Sequence, residues 1–108
     1  MKQTKTLMGV VFKYDGSLDN GLIIYKKIDI GISKNIINAI KSDITRRSPV
    51  LMGACRDNPS KNSIGESLKI QGYSPQSLSY VIPLLIEEGF CVANGKKPFI
   101  ITKKQHCA

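Results

Sequence analysis

The sequence predicts an α+β domain, and three observations carry that expectation. Two runs rich in β-branched and aromatic residues, 6–14 and 22–30, open the chain; serine-capped segments with helical spacing of apolar residues come next; an Asn94-Gly95 turn between two apolar runs closes it. A single domain is expected over residues 1–108, because a chain of this length can bury one hydrophobic core without disulfide support. It divides into an N-terminal β-hairpin extension, 1–31, and a core of helices and a closing hairpin, 32–108.

In the first part, residues 15–21 are rich in Asp, Gly, Ser and Asn and read as a turn between two strands. Alternation is clearest at Ile24, Lys26, Ile28 and Ile30, with the lysine as its interruption. Such strands would cover the helical core or, through an exposed edge, pair two copies into a homodimer.

Ser33 can cap a helix whose apolar stripe is Ile36, Ile37, Ile40 and Ile44. Arg46 and Arg47 suit its C-terminus, where the helix dipole favours cations. Ser48-Pro49 reads as another cap and first-turn proline, leading Val50, Leu51 and Ala54 into a short helix or a kinked continuation, up to a turn at 58–60. Met52-Gly53-Ala54 is explained by close helix packing. Ser63 and Glu66 then form a capping box, so a helix begins at Ile64 and runs to about Gln71, where Gly72 ends it.

After the turn Gly72-Tyr73-Ser74, Ser74 and Pro75 start a second helix. Leu78, Ile82, Leu85 and Gly89, flanked by Val81 and Ile86, form its core-facing side. Gln76, Tyr80, Pro83 and Glu87 fall opposite, with Ser77, Ser79 and Leu84 along the borders. Pro83 predicts a kink, since it lacks the N–H of the helical ladder and collides with the preceding turn. Beyond Gly89 the pattern becomes extended over 90–93 and again over 98–102, with Asn94-Gly95 as the hairpin turn.

The run Ser74-Pro75-Gln76-Ser77-Leu78-Ser79-Tyr80-Val81-Ile82-Pro83-Leu84-Leu85-Ile86-Glu87-Glu88-Gly89-Phe90 resembles the recognition helix of winged helix-turn-helix proteins. In that family a serine- or threonine-rich start leads to apolar positions, a leucine, two polar residues, and a glycine followed by an apolar residue. With the preceding helix and the wing, the resemblance covers residues 63–104. It implies a winged helix-turn-helix with an additional N-terminal β-hairpin, and double-stranded DNA as the partner. The helix from Ser74 would enter the major groove with Gln76, Ser77, Ser79 and Tyr80 toward the bases. Of these, Gln76 is the type that pairs with adenine, while serine and tyrosine more often hold phosphates.

Charge points the same way. Sixteen basic residues against eight acidic give +8, and the pI of about 9.6 is in the range of small nucleic-acid-binding domains. Lys96, Lys97, Lys103 and Lys104 lie on the expected wing and tail, with no acidic residue after Glu88; Arg46, Arg47, Arg56 and Lys61 precede the second helical unit. The first four lysines and the three arginines are candidate phosphate contacts. A transcriptional regulator or DNA-associated accessory protein would result. The alternative keeps the fold and makes it a protein-interaction module or a subunit of a larger assembly, with Tyr80, Pro83 and Leu84 as the contact surface.

Other classes find little in the sequence. The single histidine, His106, stands near the end with no nucleophile–base arrangement around it, and adjacent Glu87 and Glu88 point different ways on a helix. Neither an enzyme nor a cofactor is expected. Cys55, Cys91 and Cys107 are odd in number and lack C-x-x-C spacing, so they imply neither a metal site nor a disulfide framework, and a reducing cytoplasm is the expected location. No apolar run is long enough to cross a bilayer, and residues 1–5 lead into a poor signal peptide.

Overall fold

A computed structural model describes residues 1–54 and 59–104. Four strands come first, β1 (Lys2–Lys5), β2 (Val11–Ser17), β3 (Gly21–Tyr25) and β4 (Ile30–Ile32). They form one antiparallel sheet in the order β1-β2-β3-β4. The expected hairpin is thus a four-stranded meander, because residues 2–5, ahead of the first β-rich run, pair back onto it and the second run contains a turn. Within the first run, the Thr6 N–H donates to the Val10 carbonyl (2.9 Å) and the Val10 N–H to the Thr6 hydroxyl (3.1 Å), folding 7–9 into a loop. The second run breaks at 26–29, so Lys26 and Ile28 lie in a turn and not on a strand.

Helix α1 (Lys34–Arg47) starts where the Ser33 hydroxyl accepts the Ile36 N–H. Its Ile37, Ile40 and Ile44 are buried and Ile36 half-buried, as the spacing predicts. The next segment differs from expectation. Val50 and Leu51 form β5, paired with Ile101 and Ile100, in place of a helix. The Ser48 hydroxyl caps no helix start here; it accepts the Lys103 N–H at 2.7 Å, tying the end of α1 to the last strand.

Helix α2 (Ile64–Ile70) has the predicted cap: the Glu66 N–H donates to the Ser63 hydroxyl (3.1 Å), and the Glu66 carboxylate accepts the Asn62 N–H (3.0 Å). Gly72, at φ +88°, ends it. The Gly72 N–H bonds to the Lys69 carbonyl and the Tyr73 N–H to the Leu68 carbonyl, the reciprocal pair that closes a helix C-terminus. A 3-10 turn, Pro75–Ser77, leads into α3 (Leu78–Glu87), which continues through Pro83.

Strands β6 (Cys91–Ala93) and β7 (Ile100–Lys103) complete a second antiparallel sheet in the order β5-β7-β6. Cys91 pairs with Lys103 and Ala93 with Ile101, leaving residues 94–99 as a six-residue loop. The tight two-residue turn does not form. Asn94 bridges the loop with its side chain, its amide donating to the Pro98 carbonyl (3.2 Å) and its carbonyl accepting the Ile100 N–H (3.0 Å).

Among the described residues one apolar cluster joins both sheets with α1, α2 and α3, running from Phe12, Leu22 and Ile24 through Ile40 and Leu68 to Ile82 and Ile101. The N-terminal sheet is therefore part of the core and not an appendage. The radius of gyration, 12.9 Å, is that of a chain of this length folded as one body, about 13 Å. Among the described residues no helix is long and apolar enough to cross a membrane.

Candidate nucleic-acid interface

Helix α3 is where expectation and structure part. Its middle is buried on every side: Tyr80 is 8% exposed, Leu84 5%, and Pro83 is also buried. Ser77, just before the helix, is buried as well. The side expected to face a partner is instead met by the N-terminal sheet. The Phe12 ring meets Tyr80 edge-on with centroids 5.1 Å apart, and the Lys26 ammonium donates to the Tyr80 hydroxyl at 2.7 Å. The cover extends along the helix. Burial, then the nearby Glu87 and Glu88 carboxylates, hold the Tyr14 hydroxyl above its usual range. A helix apolar all round has to be buried on all sides, and the rings of β2 do that here. Ser77, Tyr80, Pro83 and Leu84 accordingly form neither an exposed reading face nor an exposed contact surface.

Residues at the helix start stay accessible. Ser74 and Gln76 are exposed, with the Gln76 N–H donating to the Ser74 hydroxyl at 3.3 Å, and Ser79 is half-buried. Ser79 lies in a groove of about 950 Å³ between the N-terminal sheet and the β6–β7 loop. Tyr80 and Lys97 line the same groove, so the structure brings together three of the residues singled out from the sequence. Lys96 is exposed beside it on the loop.

Two further cations join them. Lys26 and Lys27, from the β3–β4 turn, line the groove opposite the β6–β7 loop. Sequence reasoning does not select this pair, although a signal exists: Lys26 is the residue that interrupts the apolar alternation of its run. No carboxylate occurs among the described residues that line this groove.

The remaining basic candidates lie elsewhere. Lys103 belongs to β7, at its far end from Lys97, with its ammonium 4.9 Å from the centre of the Phe90 ring, which Lys41 also approaches at 5.6 Å. Lys104 is exposed, its N–H donating to the Phe90 carbonyl. Three strand steps at about 3.3 Å each separate the ends of β7 by roughly 10 Å, so the four lysines form two groups. Arg46 and Arg47 both pair with the buried Asp43, at 3.1 Å and 3.5 Å, the Arg46 side chain remaining mostly exposed, and Arg47 also donates to the Asn62 carbonyl. Arg47 borders a separate small depression with Ser63 and Glu66. Arg56 lies outside the described residues, as do Cys55, Cys107 and His106.

Burial, only partly offset by Lys103, pushes the Cys91 thiol up to about 11. It is protonated at neutral pH and therefore a poor nucleophile. Among the described residues no three His, Cys, Asp or Glu side chains gather where one ion could be held. The chain matches no protein-family model, no curated protein and no solved structure at a significant level. Its own residues carry the functional argument.

Proposed function

We propose that this chain is a winged helix-turn-helix protein that binds double-stranded DNA mainly through phosphate contacts, as a DNA-associated accessory protein or regulator with narrow base readout. The element order α1-β5-α2-α3-β6-β7, with β7 central in its sheet, supports the architecture. One observation carries the function: Ser74 and Gln76 stay exposed where the chain turns into α3, and Ser79, near that end of the helix, lines one groove with Lys97 of the β6–β7 loop, where Lys96 is also exposed. Phosphates are met by the lysines, and Gln76 is the side chain suited to a base edge. With Tyr80 and Ser77 covered, specificity has few other sources on this helix.

Fluorescence anisotropy with duplex DNA across a salt series tests this. Log affinity should fall linearly with log salt, and Lys96→Ala with Lys97→Ala should flatten the slope by about 0.9 for each phosphate no longer neutralised. Gln76→Ala should alter the ranking of sequences more than the mean affinity. An absence of binding at low salt would overturn the reading.

The protein-interaction alternative is favoured by a different observation than the one expected. Tyr80, Pro83 and Leu84 are covered, but Met8 and Val10 are 60% and 62% exposed at the edge of the groove. The homodimer expected from the sequence would use β1, an edge strand of its sheet, and light scattering at several concentrations decides it.

A further inference from the structure

We propose that the groove between the N-terminal sheet and the β6–β7 loop is a docking site for an acidic segment of a partner protein anchored by apolar side chains. This develops the interaction alternative and does not depend on DNA binding. The walls are apolar and open: Met8, Val10 and Val11 on one side are all exposed, and Leu51 and Pro98 face them from the other. Folded chains seldom leave such a cluster to water unless something covers it. Methionine adds adaptability, being unbranched and polarisable.

Charge selects the occupant. Lys26 and Lys27 come from one wall and Lys97 from the other, with no carboxylate among the described lining residues. The Lys26 ammonium is held by the Tyr80 hydroxyl, a neutral partner, so its charge is positioned without being cancelled. Cations on both walls suit a chain carrying several carboxylates with apolar residues between them. A nucleic-acid strand would set phosphates against Met8, Val10 and Leu51. At about 950 Å³ the groove is at the upper end of the ~300–1,000 Å³ found for small-ligand sites, room for a short peptide stretch.

The test is fluorescence anisotropy of the full chain with a labelled short peptide of alternating glutamate and leucine. Val10→Asp and the double change Lys27→Glu with Lys97→Glu should each weaken binding about tenfold or more, a loss equal to about 1.4 kcal/mol. Methyl resonances of Met8, Val10 and Val11 should shift on titration. The lysine changes are at exposed loop positions, so they keep the test decisive if Val10→Asp fails to fold. Equal binding of a lysine–leucine peptide would overturn the proposal, as would unchanged affinity in the folded variants. Displacement of the peptide by oleate or by a short single-stranded oligonucleotide at lower concentration would assign the groove to a lipid or a nucleic acid instead. Self-association abolished by Val10→Asp would assign it to a second copy. Failure of the wild-type chain to bind the peptide, with salt-dependent duplex binding present, would sink this inference and leave the DNA reading standing.

Discussion

The Lys26 ammonium and the Tyr80 hydroxyl lie 2.7 Å apart, joining the turn after β3 to the middle of α3. Together with the edge-on contact of Phe12 and Tyr80, this bond seats the N-terminal sheet over the side of α3 that the helical spacing left free. Phe12→Ala should therefore cost about 3–5 kcal/mol, the usual loss for a buried ring. Tyr80→Phe, which removes one partly exposed hydrogen bond, should cost only about 0.5–1.5 kcal/mol. Urea denaturation of both variants checks the ratio; equal, small losses would mean that the sheet does not rest on α3.

Gly65 offers a test of sign. In a helix, alanine ordinarily stabilises relative to glycine by about 0.5–1 kcal/mol. Here a methyl group on Gly65 would overlap the backbone of Gly53, whose own φ is +63°, and the Gly65 N–H donates to the Met52 carbonyl at 3.0 Å. Gly65→Ala should destabilise, by about 1–3 kcal/mol as for other overpacked sites. A higher melting temperature for Gly65→Ala would refute the close approach.

Asp43 has a side chain only 3% exposed and is held by Arg46 and Arg47. Asp43→Ala removes charge-assisted bonds and releases two guanidinium groups at the end of α1. A loss of about 1–3 kcal/mol is expected, read from urea midpoints. The same variant should raise DNA affinity at low salt if the freed arginines can reach the backbone, and leave it unchanged if their position on α1 keeps them away.

On the outer face of the N-terminal sheet, the Tyr25 hydroxyl donates to Asp15 at 2.8 Å and the terminal ammonium lies 3.3 Å from the same carboxylate. The Tyr25 bond first, then the terminal ammonium and Lys2, hold the Asp15 carboxyl below its usual 3.8, while Asp15 raises the Tyr25 hydroxyl above 10. A depressed carboxyl stabilises the fold above 3.8 and loses that contribution as pH falls through its folded value. A raised phenol contributes below 10 and loses its share as pH rises through its folded value. Tyr25→Phe should return the Asp15 titration, followed by carbonyl NMR, toward 3.8. No movement would show that the bond is not formed.

Much of the core was legible from spacing. The Ile37, Ile40 and Ile44 stripe, the Ser63–Glu66 cap and the Gly72 stop depend on residues within a turn or two of each other, and local geometry is enough to set them. The boundaries that failed depend on distant partners. Ser48-Pro49 has the local form of a helix start, but Val50 and Leu51 find a strand in Ile101 and Ile100, and pairing across half the chain overrides that preference.

The sequence by itself determined the three stretches that become α1, α2 and α3, the extended character of the chain's opening and closing segments, the apolar stripe that each helix turns inward, and the excess of positive charge. Only the tertiary structure decided where those charges gather and which surfaces stay open. Helical spacing shows one side of α3 meeting the core; it is silent on a sheet from the other end of the chain covering the second side. Lys26 and Phe12 reach Tyr80 from the far end of the chain, and a contact of that range depends on how the elements pack, not on the pattern within any one of them.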